Sequence, residues 1–294
     1  MVDLLTSPVL MRGNATIAYR DPAALYHDGV FHLFYTLVHN TPDGVAYWHT
    51  AVSTSQDLAS WTPPRILTPR DVRLNYSSPG NVVRVGDEWL LCLQTYPQPN
   101  GEKYGNDDAR LYLMRSRDLV TWGDPELLKV KGPSIPVEKM GRMIDPFLLR
   151  DRDDPAKWWC FYKQNGLSLS SSYDLTEWTY FGHTSAGENV CVLVDRDEYV
   201  MFHSPKNGIG VKRSLDLVRW TDADLITLGQ KDWSWARGRL TAGFVLDLRH
   251  EPQVGKYLMF FHGSGPEDEQ TMFTTHCSLG LAWSEDLVNW HWPV

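Results

Sequence analysis

The chain carries little that would tie it to nucleic acid, to a membrane or to a disulfide scaffold. Its 28 Lys and Arg are outnumbered by 36 Asp and Glu, for a net charge of −8 and a pI near 5.7. Polyanions and anionic lipid surfaces call for a basic face, so neither is expected as a partner. No apolar run approaches the ~18 residues of a membrane-crossing helix. Met1 to Pro8 has neither the basic flank nor the apolar stretch of a secretory leader. There are only four cysteines, Cys92, Cys160, Cys191 and Cys277, with no Cys-x-x-Cys pair and no Cys/His cluster at zinc spacing. Three of them sit in apolar runs, which predicts buried reduced thiols and no structural metal at cysteine. With no leader and no disulfide pattern, the expected compartment is the cytoplasm, or the exterior if a leader has been removed. Helical periodicity is also missing along the whole length.

What the chain has instead is aromatic rings and a repeat. It contains 13 Trp, 13 Tyr and 10 Phe, residues that suit pleated strands. The pattern Ser-x-Asp-Leu-x-x-Trp occurs five times, at Ser55–Trp61, Ser116–Trp122, Ser172–Trp178, Ser214–Trp220 and Ser284–Trp290. Ser and Asp side chains bond nearby backbone N–H groups and close a tight turn. Leu and Trp are then free to bury against the next unit. The five tryptophans are 61, 56, 42 and 70 residues apart, so loops of varying length separate a constant core.

Ahead of each turn lie a hairpin with an aromatic-rich second strand and then a third strand. A fourth strand follows the tryptophan. Such units arranged in a ring are propeller blades. The predicted fold is therefore all-β, a single five-bladed β-propeller with four antiparallel strands per blade. The blades are expected near 20–70, 77–130, 144–184, 187–228 and 240–294, with an N-terminal strand closing the ring.

Counting back about seven residues from each hairpin turn gives one position per blade: Asp21, Ser78, Asp145, Glu188 and Thr241. First strands line a propeller's axis, so these positions form a ring at one mouth of the channel. Asp before Pro, as at Asp21 and Asp145, is also a common strand-entry turn. Three acids at equivalent positions nonetheless crowd like charge, which no fold requires. The combination points to catalysis: glycoside hydrolysis needs one carboxyl group to protonate the leaving oxygen and another to activate water or attack. A third can tune the acid. Around these acids, Arg20, Arg142 and Arg239 are candidates to pair with a carboxylate or bind substrate. Ser78 is a candidate partner for a sugar hydroxyl, and His203 and His262 end second strands close by. Trp48, Tyr104, Trp233 and Trp235 are candidates to stack on a sugar face. No cofactor is required by this chemistry.

Through Arg20-Asp21-Pro22, Ile144-Asp145-Pro146, Gly187-Glu188 and the five turns, nearly the whole chain resembles the five-bladed propeller glycosidases, family 43 with its relatives in families 32, 62, 68 and 117. The resemblance implies that Asp21 is the general base, Asp145 the carboxylate that tunes pKa and Glu188 the general acid. It also implies an inverting mechanism and terminal arabinofuranosides or xylosides of oligosaccharides as substrates. It leaves room for a structural cation near the axis. Family 32 enzymes open on a Trp-Met-Asn-Asp-Pro-like run, where this chain has Ala18-Tyr19-Arg20-Asp21-Pro22. A retaining fructosidase is therefore the second reading and a non-catalytic sugar-binding propeller the third. A phosphorylase would need a phosphate pocket, for which Arg20, Arg142 and Arg239 are the available cations. Specificity is expected in segments 39–46, 96–108 and 229–240.

Overall fold

The computed structural model describes residues 1–293. Five antiparallel sheets follow one another along the chain. Blade one comprises Ile17–His27, Val30–Asn40, Ala46–Ser55 and Arg65–Ile66. Blade two comprises Tyr76–Val85, Glu88–Thr95, Leu111–Ser116 and Glu126–Leu127. Blade three comprises Ile144–Arg150, Trp158–Lys163, Leu167–Ser172 and Thr179–Thr184. Blade four comprises Glu188–Asp195, Glu198–Ser204, Ile209–Ser214 and Thr221–Ile226. Blade five comprises Arg239–Leu248, Lys256–Ser264 and Ser278–Ser284. Its outer edge is shared: Val9–Met11 pairs with one half of Ser278–Ser284, and Trp290–His291 pairs with the other. The ring is thus closed by both ends of the chain. The fold is an all-β five-bladed propeller, and its only helical pieces among the described residues are the 3-10 turns Val2–Leu4 and Val137–Lys139.

The repeated turn does what its residue types predict. In every copy the Asp carboxylate accepts from the backbone N–H groups two and three residues on, at 2.6–2.9 Å. The Leu that follows lies in the left-handed region each time, with φ between 60° and 64°. That conformation costs a non-glycine residue roughly 1–2 kcal/mol. It is offset by burial, since all five leucines are at most 5% exposed. In blades one to four the Trp indole N–H then donates to that Leu carbonyl.

The blades are sewn together near the axis. Asn81 of blade two donates to Leu148 O and accepts from Leu148 N of blade three, at 2.8 and 2.9 Å. A Cβ on Gly80 would fall 1.6 Å from Pro146 O, so only glycine permits this approach. The four cysteines are buried and unpaired. Trp233 and Trp235 stack on each other and on Phe261 at 5.3–6.0 Å, as packing of blade five. They do not line the pocket expected to use them.

Candidate active site

Every first strand is broken by a bulge, and the bulges set the register of the inner ring. Strand pairing jumps between Arg20 and Ala23, Ser77 and Asn81, Ile144 and Phe147, Glu188 and Cys191, and Thr241 and Phe244. Inside each jump sits one residue with positive φ: Asp21, Ser78, Asp145, Asn189 and Ala242. These five are the equivalent positions. The ring read from sequence is thus right in blades one to three and one residue early in blades four and five. Glu188 precedes the bulge residue, as Arg20 does in blade one. A one-residue slip re-aims a side chain on a strand; Glu188 and Arg20 share one ladder position and the two aspartates the next. In blades one to three a proline follows the bulge residue and marks it; blades four and five have Val190 and Gly243 there.

The bulges are held by a clasp between neighbouring blades. A second-strand side chain of one blade accepts the backbone N–H of the bulge residue in the next. Thr36 Oγ1 takes Ser78 N at 2.7 Å, and Gln94 Oε1 takes Asp145 N. Ser204 Oγ takes Ala242 N at 2.8 Å, and His262 Nδ1 takes Asp21 N at 3.1 Å. The exception is the joint between blades three and four. Lys163 occupies the clasp position there, and an ammonium cannot accept; it donates to Ala186 O at 3.3 Å. The open joint lies beside Glu188. There Asn189 turns to Asp145 instead, its Nδ2 donating to Asp145 Oδ1 at 3.1 Å.

Asp21, Asp145 and Glu188 share one cavity of about 440 Å³ at the mouth of the channel. The two aspartates are buried, 5% and 6% exposed, and Glu188 is half-buried. Asp21 Oδ2 accepts the hydroxyls of Thr36 and Ser78 at 3.0 and 3.2 Å, and Arg20 stands 3.9 Å from Oδ1. Burial pushes Asp21 toward the protonated form, but Arg20, then the adjacent His262 and the two hydroxyls, outweigh it and hold the pKa below the usual carboxylate range. Asp145 has less support, the Asn189 bond and a more distant Arg142. Burial, and then the charges of Glu188 and Asp21, push it up to about 8. At neutral pH the cavity therefore contains one carboxylate, Asp21, that stays ionised and one carboxyl group, Asp145, that holds a proton.

The remaining candidates divide into pocket and support. Arg20, Ser78, Arg142 and Arg239 line the cavity with Trp48 and Tyr104. His203 and His262 do not. His262 is 2% exposed and its Nδ1 is committed to the Asp21 N–H, while burial pulls its pKa down to about 3. Its 3.5 Å approach to Asp21 Oδ1 is accordingly no ion pair at neutral pH. His203, drawn down to about 4 by burial, accepts Gly187 N at 3.0 Å and so holds the backbone just ahead of Glu188. Both Nδ1 atoms are thus spent on backbone N–H groups. No group of three His, Cys, Asp or Glu converges among the described residues. Thr36, Gln94, Asn189, Tyr96 and Phe273 belong to the site or its frame and went unnoticed in the sequence. The clasp residues could have been found by the same count from the hairpin turns. Tyr96 and Phe273 lie in connections without periodicity.

No protein-family model matches the sequence, and no curated protein does. Solved structures do match. An exo-1,5-α-L-arabinanase from a bovine ruminal metagenomic library superposes with a TM-score of 0.62 at 14% identity, over 92% of this chain and 94% of that one. A family 117 glycoside hydrolase from the marine bacterium Zobellia galactanivorans gives 0.64 at 14%, over 91% and 84%. The catalytic domain of a Coprinopsis cinerea family 62 α-L-arabinofuranosidase gives 0.64 at 15%, over 95% and 97%. At these identities the likeness is one of fold.

Proposed function

We propose that the protein is a glycosidase that removes a terminal sugar from an oligosaccharide. The observation that carries this is the division of protonation within one cavity. Asp21 is kept ionised by Arg20, Thr36 and Ser78, while burial and like charge keep a proton on Asp145. Pairs of carboxyl groups driven apart in this way are what acid–base cleavage of a glycosidic bond uses. Glu188, half-exposed beside Asp145, delivers the proton to the leaving oxygen. Asp145 is buried and faces the charges of Glu188 and Asp21, so it stores the proton and tunes its donation. Asp21 takes a proton from the attacking water as general base, an inverting course. Attack by Asp21 itself would make the enzyme retaining, the course of the fructosidase reading. The names borne by the similar structures, arabinanase and arabinofuranosidase, make arabinofuranosides the first glycosides to test.

Nitrophenyl glycosides test the roles. Glu188→Gln should lower kcat/KM by roughly 100-fold or more on sugars with poor leaving groups and much less on activated ones. Asp21→Asn should fail on both. Equal activity of wild type and Glu188→Gln on unactivated oligosaccharide would remove Glu188 from the mechanism. The anomer first released, read by NMR, separates the inverting from the retaining course.

A further inference from the structure

The cavity has more positive charge than its carboxyl groups use. Four cationic side chains line it, Arg20, Lys103, Arg142 and Arg239. They face three carboxyl groups, Asp21, Asp145 and Glu188. This surplus stands out in a chain whose net charge is −8. Of the four cations only Arg20 approaches a carboxylate, Asp21 at 3.9 Å; none of the other three forms an ion pair among the described residues.

Three of these cations are built into one continuous wall. Arg239 lies over Phe273 at 5.4 Å, and Phe273 faces Arg20 at 5.7 Å. Arg20 lies over Trp48 at 4.7 Å, and Trp48 stacks on Tyr96 at 5.1 Å and 11°. Arg142 lies over Tyr96 at 5.5 Å and closes the ladder. The wall draws on blades five, one and two and on the connection into blade three. Aromatic contact holds a guanidinium by its face and leaves its N–H edge free. The Nε atoms of Arg20 and Arg239 are buried with no hydrogen-bond partner. A buried unpaired donor on a charged group costs free energy; Arg142 spends one N–H on Tyr104 O at 3.0 Å, while Arg20 and Arg239 have no hydrogen-bond acceptor among the described residues, so the wall stands preorganised for one. A neutral sugar offers hydroxyls, which leave the charge uncompensated. A carboxylate or sulfate matches both the charge and the planar fork.

We propose that the glycoside accepted by this pocket carries an anionic group, a carboxylate as in a uronic acid or a sulfate ester, held by the Arg239–Arg20–Arg142 wall. The inference rests on the pocket being a sugar site, as proposed above, and narrows its substrate class.

Isothermal titration of the wild-type chain with D-glucuronate, D-galacturonate and galactose 6-sulfate, each beside glucose or galactose as neutral parent, provides the test. At least one anionic sugar should bind roughly tenfold or more tightly than its parent, the scale of one charge-assisted hydrogen bond. The preference should fall as salt rises. It should also shrink in Arg142→Leu and Arg239→Leu, with circular dichroism confirming the fold. Which acid binds distinguishes carboxylate from sulfate. Equal binding of acids and parents, or a preference untouched by salt and by both substitutions, overturns the proposal. So does arginine-dependent binding of inorganic phosphate with no preference among the sugars. If either variant fails to fold, the salt dependence of the wild type decides. Acid-selective binding without hydrolysis of any glycoside would refute the glycosidase reading and leave this inference standing. Hydrolysis of neutral glycosides without acid preference would do the reverse.

Discussion

Replacing Ser78 by Ala isolates what keeps Asp21 ionised. The hydroxyl donates to Asp21 Oδ2 at 3.2 Å, while the Ser78 backbone N–H is independently held by Thr36 Oγ1 at 2.7 Å. The substitution therefore removes one bond to a carboxylate and leaves the clasp between blades one and two in place. A hydrogen bond to a charged group contributes roughly 1.5–3 kcal/mol, and 1.36 kcal/mol corresponds to one pKa unit. The contact is at the long end of the hydrogen-bond range, so the lower figure applies. The pKa of Asp21 should rise by about one unit. The Thr36 hydroxyl at 3.0 Å and Arg20 still hold part of the depression. Asp21 must be ionised to act, so the acidic limb of the kcat/KM profile against pH should move up by about one unit in Ser78→Ala. The alkaline limb, which belongs to Asp145, should stay in place. An unmoved acidic limb with uniform loss at all pH values would refute the assignment of that limb to Asp21. So would a shift confined to the alkaline limb.

Asp145 makes a prediction for stability. Its pKa in the folded chain, near 8, lies above the unfolded value of 3.8, so the native state binds the proton more tightly. Its contribution is fully present below the unfolded pKa and is lost as pH rises through the folded one. Thermal melting of wild type should therefore fall between about pH 4 and pH 8 relative to Asp145→Asn, a neutral isostere without that titration; parallel curves would contradict the raised pKa. Gly80→Ala would place a methyl group 1.6 Å from Pro146 O, against backbone that cannot retreat. Soluble yield or melting temperature should drop sharply, and a variant as stable as wild type would mean that blades two and three do not meet as described.

The repeat was legible because its chemistry is local. Each Ser-x-Asp-Leu-x-x-Trp unit satisfies itself within seven residues, so five turns, and with them five blades, could be counted. Asp21 and Asp145 were legible because a following proline flags the bulge. The register in blades four and five was not: Asn189 and Ala242 have no such flag, and Glu188 offered a more conspicuous acid one position earlier. The roles of His203 and His262 were hidden for a related reason. Both bond backbone N–H groups, and the His262 partner lies 241 positions away in sequence. The arginines were visible singly, but their alignment through Phe273, Trp48 and Tyr96 depends on loops that carry no period. In the same way the missing clasp at Lys163 appears only once the other four are seen in three dimensions.

The central claim is that at neutral pH one carboxyl group of the pocket is protonated while Asp21 is not. Infrared difference spectroscopy of the carboxyl C=O stretch at pH 7, wild type minus Asp145→Asn, measures it directly. The account predicts a protonated-carboxyl band in the wild type that disappears in the variant and also titrates away as pH is raised past about 8. A wild-type spectrum at pH 7 with no such band would contradict it.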